Sequence, residues 1–352
     1  MLKVGIIGAG HISKQHIEAY KKNPECELAA IADLNGDLAR QTAETYHIPA
    51  YYTDYHKLLE DPQIDAVSIV TPTFTHCDIV IDALKAGKKC LCEKPPARTL
   101  AEVERVVKTA EETGAFLMWA FVARFHPETK MLKEYIDAGN LGKIYHAEAL
   151  RLMRYALISG WFLNKEKSGG GALIDNAIHE IDVAMYLMGY PKVKNVLGFS
   201  TDANIDLMGK LKGMGSGYKV FDKNAYDCNV ESMASGYVTL ENGSCLYTKS
   251  GFVSYNLNQE IYIDLLGENG GVRYTRNPEK RINLLTNVNG YLLESSPVIK
   301  EKARAFENEI NHFVDCCVHD TPCIVEMHQA IELMKIIEGI YRSADSGQPV
   351  VY

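Results

Sequence analysis

The 352-residue chain contains no stretch approaching the roughly 20 consecutive apolar residues needed to cross a bilayer, so no membrane-spanning helix is expected. It also has no basic excess. Its 37 Lys and Arg face 45 Asp and Glu, leaving a formal charge of −8, which argues against a partner that must be gripped through its phosphates. Runs of like charge and low-complexity tracts are missing as well, so extended disorder is not expected. The nine cysteines lack the second spaced pair that a zinc site requires. Cys90 and Cys92 alternate along an apolar run, Cys316 and Cys317 are adjacent in a helical pattern, and all nine read as reduced, packed thiols. An export signal is not apparent either: the apolar run in "MLKVGIIGAG" is short and passes at once into a glycine loop, which reads as a buried strand. A cytoplasmic protein with a small-molecule partner and neither nucleic acid nor membrane is the resulting expectation.

The hydrophobic 47% and charged 23% are those of an ordinary globular protein, and the length calls for two domains. Over the first 120 residues, short apolar runs ("KVGIIG", "ELAAIAD", "AVSIV", "KCLCEKP", "AFLMWAF") alternate with segments of helical period. Such runs are parallel strands covered on both faces, so a doubly wound parallel sheet is expected, with its ligand edge at the strand ends. The first strand leads into Gly8-Ala9-Gly10-His11-Ile12-Ser13, a G-x-G-x-x-G pattern with Ser13 in third place. Asp33 ends the next strand. Gly8 suits the tight turn, Gly10 lets backbone approach a pyrophosphate, and the helix N-terminus offers amide donors. Asp33 would accept from ribose hydroxyls and repel a 2′-phosphate, which favours NAD over NADP. Ser13 is expected to loosen helix-to-strand packing slightly.

Two more strand ends are polar. "TPTFTH" contributes Thr71, Pro72, Thr73 and His76, and "CEKPP" contributes Glu93 and Lys94; with Gly8, Gly10, His11, Ile12 and Asp33 these are the cofactor-contact candidates. Lys94, next to a proline that can be cis, would point from a rigid element.

Near mid-chain, "GGGALIDNAIHEID" packs three glycines, two aspartates and a histidine, and the glycines would let the backbone pass close to a cofactor or substrate before the helix starts. A helix from about Ala172 would put Asp175, His179 and Asp182 on one face. A metal site is disfavoured because Val183 stands where a second histidine would be needed. A purely structural face and an acid-base pair both remain open from these residues alone. Arg124, Trp161 and Asn176 are the substrate-pocket candidates, with Arg124 alternatively an interdomain salt-bridge residue and Trp161 alternatively core. Past this stretch, "KIYHAEALRLM", "VESMASGYVTL", "CLYTKSGFV" and "QEIYIDLLG" read as strands of a meandering antiparallel sheet, with "ENGS" as a turn. The glycine-rich stretch between Asp202 and Asp227 reads as a long loop. "KARAFENEINHFVDCCVH" and "HQAIELMKIIEGIYRSA" read as core helices.

In this order, "VGIIGAGHIS", "EKP" at Glu93 to Pro95, "RFHP" at Arg124 to Pro127, "GGGALIDNAIHEID" and "AIELMKIIEGIYRSADSGQPV" resemble the Gfo/Idh/MocA family, the glucose-fructose oxidoreductase and inositol dehydrogenase group. The resemblance implies an N-terminal Rossmann domain, taken as residues 1–122. It further implies a C-terminal α/β domain, residues 123–352, whose open, mainly antiparallel sheet often serves as an oligomer interface, so a homodimer or homotetramer is implied. The active site would lie between them. Residue by residue, the family's catalytic lysine, aspartate and histidine fall on Lys94, Asp175 and His179. This chain departs from the pattern at Thr73, Val122 and Ala177. The implied activity is hydride transfer between NAD and a secondary alcohol of a sugar, sugar derivative or cyclitol, with His179 as acid/base and Lys94 stabilising the alkoxide. The alternatives are a glycosidase that oxidises C3 transiently with bound NAD, and a non-catalytic NAD-sensing protein.

Overall fold

A computed structural model describes residues 1–154, 160–206, 228–275 and 281–352. The long glycine-rich loop expected between Asp202 and Asp227 falls largely outside the described residues. Two compact units form, one from Met1–Phe125 with Arg304–Ile331, the other from His126–Ala303 with Glu332–Tyr352. No helix among the described residues is long and apolar enough to cross a membrane.

The first unit is built on six strands: β1 (Leu2–Ile7), β2 (Cys26–Ala32), β3 (Ala50–Tyr52), β4 (Ala66–Ile69), β5 (Lys89–Glu93) and β6 (Leu117–Ala120). Their spatial order is β3-β2-β1-β4-β5-β6, parallel throughout, which is the doubly wound order of dinucleotide-binding sheets. Val4, Ile6, Val67, Ile69, Cys90 and Cys92 are fully enclosed or nearly so, as expected of strands covered on both faces. Helices α1 (Ser13–Tyr20), α2 (Gly36–Tyr46), α3 (Tyr55–Glu60), α4 (Thr73–Lys85) and α5 (Leu100–Thr113) supply the crossovers. Asn35 caps α2, accepting from the Leu38 amide, and Thr99 caps α5 through the Glu102 amide. The three-residue edge strand β3 is too short to leave a hydrophobic pattern, which is why the sequence does not announce it.

The second unit opens with α6 (Pro127–Asp137), β7 (Ile144–Leu152) and the short α7 (Lys165–Ser168). A π-helical turn over Leu173–Ala177 then runs into α8 (Ile178–Leu187). Next come β8 (Val193–Thr201), β9 (Met233–Leu240), β10 (Cys245–Gly251), β11 (Glu260–Gly267), β12 (Gly270–Thr275), β13 (Ile282–Val288) and β14 (Tyr291–Ser295). Helices α9 (Ala305–His319) and α10 (Gln329–Ser346) precede a two-residue strand, β15 (Val350–Val351). The nine-stranded sheet runs β14-β13-β12-β11-β7-β10-β9-β8-β15. It is antiparallel except where β10 pairs with β7 in parallel, a departure from the simple meander. The expected "ENGS" turn joins β9 to β10, with Gly243 at φ +85°.

One segment departs from a simple cut at residue 122. α9 packs on α1 and β1 of the first unit, burying Ile310, Phe313 and Val314, and Phe313 stacks on Phe116 at 6.0 Å. Its apolar stripe is visible in the sequence; the surface that receives it is not.

On the inner face of the second sheet, α10 comes close because glycine stands at three contact points. A Cβ on Gly198 would lie 2.3 Å from the Ile340 carbonyl oxygen, one on Gly236 2.5 Å from the Ile340 side chain, and one on Gly339 2.9 Å from Val196. Backbone cannot yield as a flexible side chain can. Gly198→Ala is therefore expected to destabilise the protein by about 1–3 kcal/mol, seen as a lower denaturation midpoint in urea, whereas Gly271→Ala, with only ordinary contacts from 3.4 Å outward, should not show this steric cost.

Candidate active site

In the first unit the loop after β1 lies beside a cavity of about 630 Å³ lined by Gly8, Gly10, Asp33, Thr53, Val70, Thr71, Pro72 and their neighbours. Gly8 has φ +106°, and a Cβ there would meet the Val70 carbonyl oxygen at 2.7 Å, so its glycine is required by the chain itself. Gly10 differs. Nothing lies within 4 Å of where its Cβ would be, so the space is left for something other than protein. Ser13 is fully buried and its hydroxyl donates to the Gly10 carbonyl at 2.6 Å, closing the loop; the expected loosening is not what the structure shows. Asp33 follows β2, with one carboxylate oxygen accepting the Ala9 amide and the other the Asn35 amide, each at 2.8 Å. A carboxylate has further acceptor sites, and Asp33 lines the cavity with them. His11 is exposed and Ile12 half-buried just before α1.

The other two strand ends are tied together. Thr73 and His76 are buried, and the His76 ring lies between the Pro95 and Thr71 carbonyls, 2.8 Å from each. Burial pushes the His76 imidazole below its ordinary pKa, against the pull of the two carbonyls. Its side chain therefore braces the two loops. Glu93 is likewise buried and committed: Oε1 lies 3.0 Å from His16 Nε2, and Oε2 accepts the Lys94 amide at 2.9 Å. His16 Nδ1 is 3.0 Å from Ser68 Oγ, which in turn accepts from Tyr20 Oη at 3.3 Å. A donor chain from Tyr20 through Ser68 and the His16 ring to the carboxylate is consistent with these distances, and every member finds a partner. Lys94 itself is half-buried, and its peptide bond to Pro95 is cis. The sequence reading contained no role for His16; a histidine on a helix with no motif around it gives no signal.

Arg124, a substrate-pocket candidate, is bound by the chain itself. Its guanidinium is in the first unit, 1% exposed, donating to the Ile324 carbonyl at 2.8 Å and to Gln329 Oε1 at 2.6 Å. A group so enclosed braces the segment after α9.

In the second unit "GGGALIDNAIHEID" is organised by a residue the sequence did not reveal. Glu231 accepts the Gly171 amide at 2.7 Å, the Leu173 amide at 3.0 Å and the Tyr341 hydroxyl at 2.9 Å through its carboxylate, and the Ala172 amide at 3.4 Å through its carbonyl. Three successive amides at the start of the helix thus find one residue. Burial raises the Glu231 pKa while these donors oppose the shift, and burial next to that carboxylate raises the Tyr341 phenol well above its ordinary value. The glycines serve this packing. A Cβ on Gly170 would fall 2.2 Å from Tyr341 Oη and one on Gly171 2.2 Å from the Glu231 carbonyl oxygen, while Gly169 takes φ +84° after α7. They make room for the protein's own side chains rather than for a ligand, which corrects their expected role.

Asp175 and Asn176 lie in the π turn and His179 in the first turn of α8, all three half-buried. Asp182 is fully buried, and its Oδ1 accepts from Tyr190 Oη at 2.9 Å. Asp182 is thus more enclosed than the other two, and the π turn interrupts the 3.6-residue spacing between Asp175 and His179. Asn176 Nδ2 is buried with no hydrogen-bond partner among the described residues. Trp161 stacks on Phe162 at 3.8 Å, half-buried. Next to His179, Glu180 pairs with Arg151 of β7 at 2.9 Å and fastens α8 to the sheet.

Sequence comparison agrees with this architecture. Residues 2–121 match the model of an oxidoreductase family with an NAD-binding Rossmann fold, Gfo/Idh/MocA, and residues 133–351 match its C-terminal alpha/beta domain. The chain belongs to the Gfo/Idh/MocA oxidoreductase family. It is 32% identical to a D-glucoside 3-dehydrogenase of Escherichia coli over 99% of this chain and 97% of that one. It is 27% identical to an NAD(+)-dependent scyllo-inositol 2-dehydrogenase of Bacillus subtilis, over 99% of this chain and 96% of the relative. Levoglucosan dehydrogenase in complex with NADH shares the fold, with a TM-score of 0.84 at 22% identity over 99% and 98% of the two chains. The Gfo/Idh/MocA cofactor is a nicotinamide dinucleotide, and the residues that line the cavity all fall within the stretch matched to the NAD-binding Rossmann fold.

Removing the Glu231 carboxylate leaves buried amides without an acceptor. Glu231→Ala is expected to cost about 2–3 kcal/mol of stability and to lower turnover as well, measured by denaturant unfolding and by initial rates; loss of neither would show that the helix start holds without it.

Proposed function

We propose that this Gfo/Idh/MocA member is an NAD-dependent dehydrogenase or reductase acting on a secondary alcohol of a sugar, sugar derivative or cyclitol. The observation that carries the reading is the cavity in which Gly10 leaves open space and Asp33 presents a carboxylate, in a chain 32% identical end to end to a glucoside dehydrogenase. When bound, NAD supplies the hydride acceptor at nicotinamide C4. His179 takes the substrate hydroxyl proton, since imidazole titrates near neutrality in its unperturbed form. Lys94, its main chain held by Glu93, supplies positive charge to the oxygen as that proton leaves. Asp175 orients the imidazole or receives a second substrate hydroxyl. Asn176 brings a buried donor with no protein partner among the described residues, and Trp161 an apolar wall, which is what a polyol requires.

Asp33 favours NAD over NADP by charge. The glycosidase alternative finds no support among the relatives named, which are dehydrogenases. A purely NAD-sensing role would leave Lys94, Asp175 and His179 unexplained. The outer face of the second sheet supports a homodimer or homotetramer: Leu197, Phe199 and Tyr237 are each more than half exposed there, and Tyr237 packs on Tyr247 across the strands. Nine free thiols support a cytoplasmic location.

The reading is tested by NADH formation across a panel of glucosides, inositols and other polyols. His179→Ala should lower kcat on the best substrate by about 10²–10⁴-fold with NAD binding retained; unchanged turnover would remove His179 from the chemistry. In the same assay Asp33→Ala should narrow the preference for NAD over NADP by about tenfold or more, about 1.4 kcal/mol of discrimination, and an unaltered ratio would mean that the carboxylate does not read the ribose.

A further inference from the structure

α9 and the segment after it carry a side-chain cluster that the proposed chemistry does not use. His312 and Cys316 are four residues apart, one turn, and so leave the same face of the helix. The helix ends at Asp320 with φ +53°, the chain turns back, and Cys323 arrives at the same place. One ring nitrogen and the two sulfurs all lie within 4.8 Å of one another. His312 Nε2 is 3.5 Å from Cys316 Sγ. In a zinc tetrahedron, bonds of about 2.3 Å to sulfur and about 2.0–2.1 Å to nitrogen put those two atoms about 3.6 Å apart. That pair already stands at the separation of two ligands on one ion.

We propose that His312, Cys316 and Cys323 form a binding site for one thiophilic cation, zinc(II), which ties the segment after α9 to the helix. Two sulfurs and one imidazole nitrogen are a soft donor set that selects zinc or copper(I) over magnesium or calcium. The Ile324 amide donates to His312 Nε2 at 3.1 Å, which keeps the ring proton on Nδ1 and leaves Nε2 the unprotonated nitrogen, the one an ion would take over from that amide. Metal ligation needs that form of the ring. On binding, Cys316 and Cys323 each release one proton, two sulfur–metal bonds and one nitrogen–metal bond form, and water completes the fourth position. The Ile324 amide, on a residue 36% exposed, is the contact given up to solvent. Cys323 and His312 are half-buried, so the ion can enter from the surface.

The consequence is structural. The same segment supplies the Ile324 carbonyl to Arg124 at 2.8 Å and the Met327 carbonyl to Trp119 Nε1 at 3.1 Å, both on enclosed side chains. An ion that fixes the segment fixes the acceptors of two buried donors. The H-x3-C-x6-C spacing is not that of paired C-x-x-C knuckles, so the lack of a second spaced cysteine pair does not bear on it: two ligands come from one helical turn and the third from a return of the chain.

The test uses the full chain, stripped with chelator and kept reduced with a phosphine, titrated with zinc chloride against a chromogenic chelator. One ion per chain is expected, with a rise in melting temperature produced by zinc and not by magnesium. His312→Ala, Cys316→Ser and Cys323→Ser should each weaken zinc binding by about 100-fold, and Cys317→Ser, outside the cluster, should not. Cobalt(II) should give sulfur-to-cobalt charge-transfer absorption that Cys316→Ser abolishes, with far-UV circular dichroism confirming that each variant is folded. No stoichiometric uptake, uptake indifferent to Cys316→Ser and Cys323→Ser, or a peroxide-formed Cys316–Cys323 disulfide in a chain that takes up no zinc would each overturn the proposal.

Discussion

The carboxylate of Glu231, accepting the amides of Gly171 and Leu173, fixes where the helix with Asp175 and His179 begins, and the same device recurs at each segment of interest. Glu93 accepts the amide of Lys94, and Asp33 accepts the amide of Ala9 between the two loop glycines. In all three cases a charged acceptor holds main chain and leaves the functional side chains to project. Charge-assisted bonds of this kind are about twice as strong as neutral ones, and buried carboxylates tolerate few alternatives. Loops that would otherwise be set only by turn chemistry are thereby set by long-range contacts: Asp33 lies 24 residues from Ala9, and Glu231 lies 60 from Gly171.

That range explains what the sequence disclosed. The parallel, doubly wound character of the first sheet follows from short apolar runs between helical patterns, and the cofactor loop from glycines placed after a strand and before a helix. Asp175 and His179 were found because a family pattern runs through them. Glu231 and His16 were not, since a lone carboxylate at the start of a strand and a lone histidine on a helix have no local periodicity or spacing to mark them. Their meaning lies in partners 60 and 77 residues away, and only the fold supplies those.

Residue types common at binding sites also serve the chain itself. Three glycines before a helix suggest room for a ligand, and an arginine within a motif suggests a substrate contact. Gly170 and Gly171 instead admit Tyr341 and Glu231, and Arg124 is spent on Ile324 and Gln329. Gly10 is the case in which the same inference survives, since no protein atom occupies its Cβ position. A glycine argues for a ligand only when the chain itself has no claim on the space.

The π turn over Leu173–Ala177 draws these strands together. Opening the helix by one residue per turn forfeits regular hydrogen bonding, so such turns persist where surrounding contacts over-determine them. Here the contacts are identifiable: Glu231 secures the amides ahead of the turn, Tyr341 locks that carboxylate, and the Glu180–Arg151 pair fastens the helix behind it. Asp175 and Asn176 sit inside the irregular segment and His179 just past it, so the part of the chain that would relax most readily if released carries the candidate chemistry. Ala177, where the family pattern has glycine, is fully buried in that turn and fills space there. Glu231 and Tyr341 are half-buried, as Asp175 and His179 are, so what marks them as anchors is not burial but the main chain and the side chain that their polar groups hold.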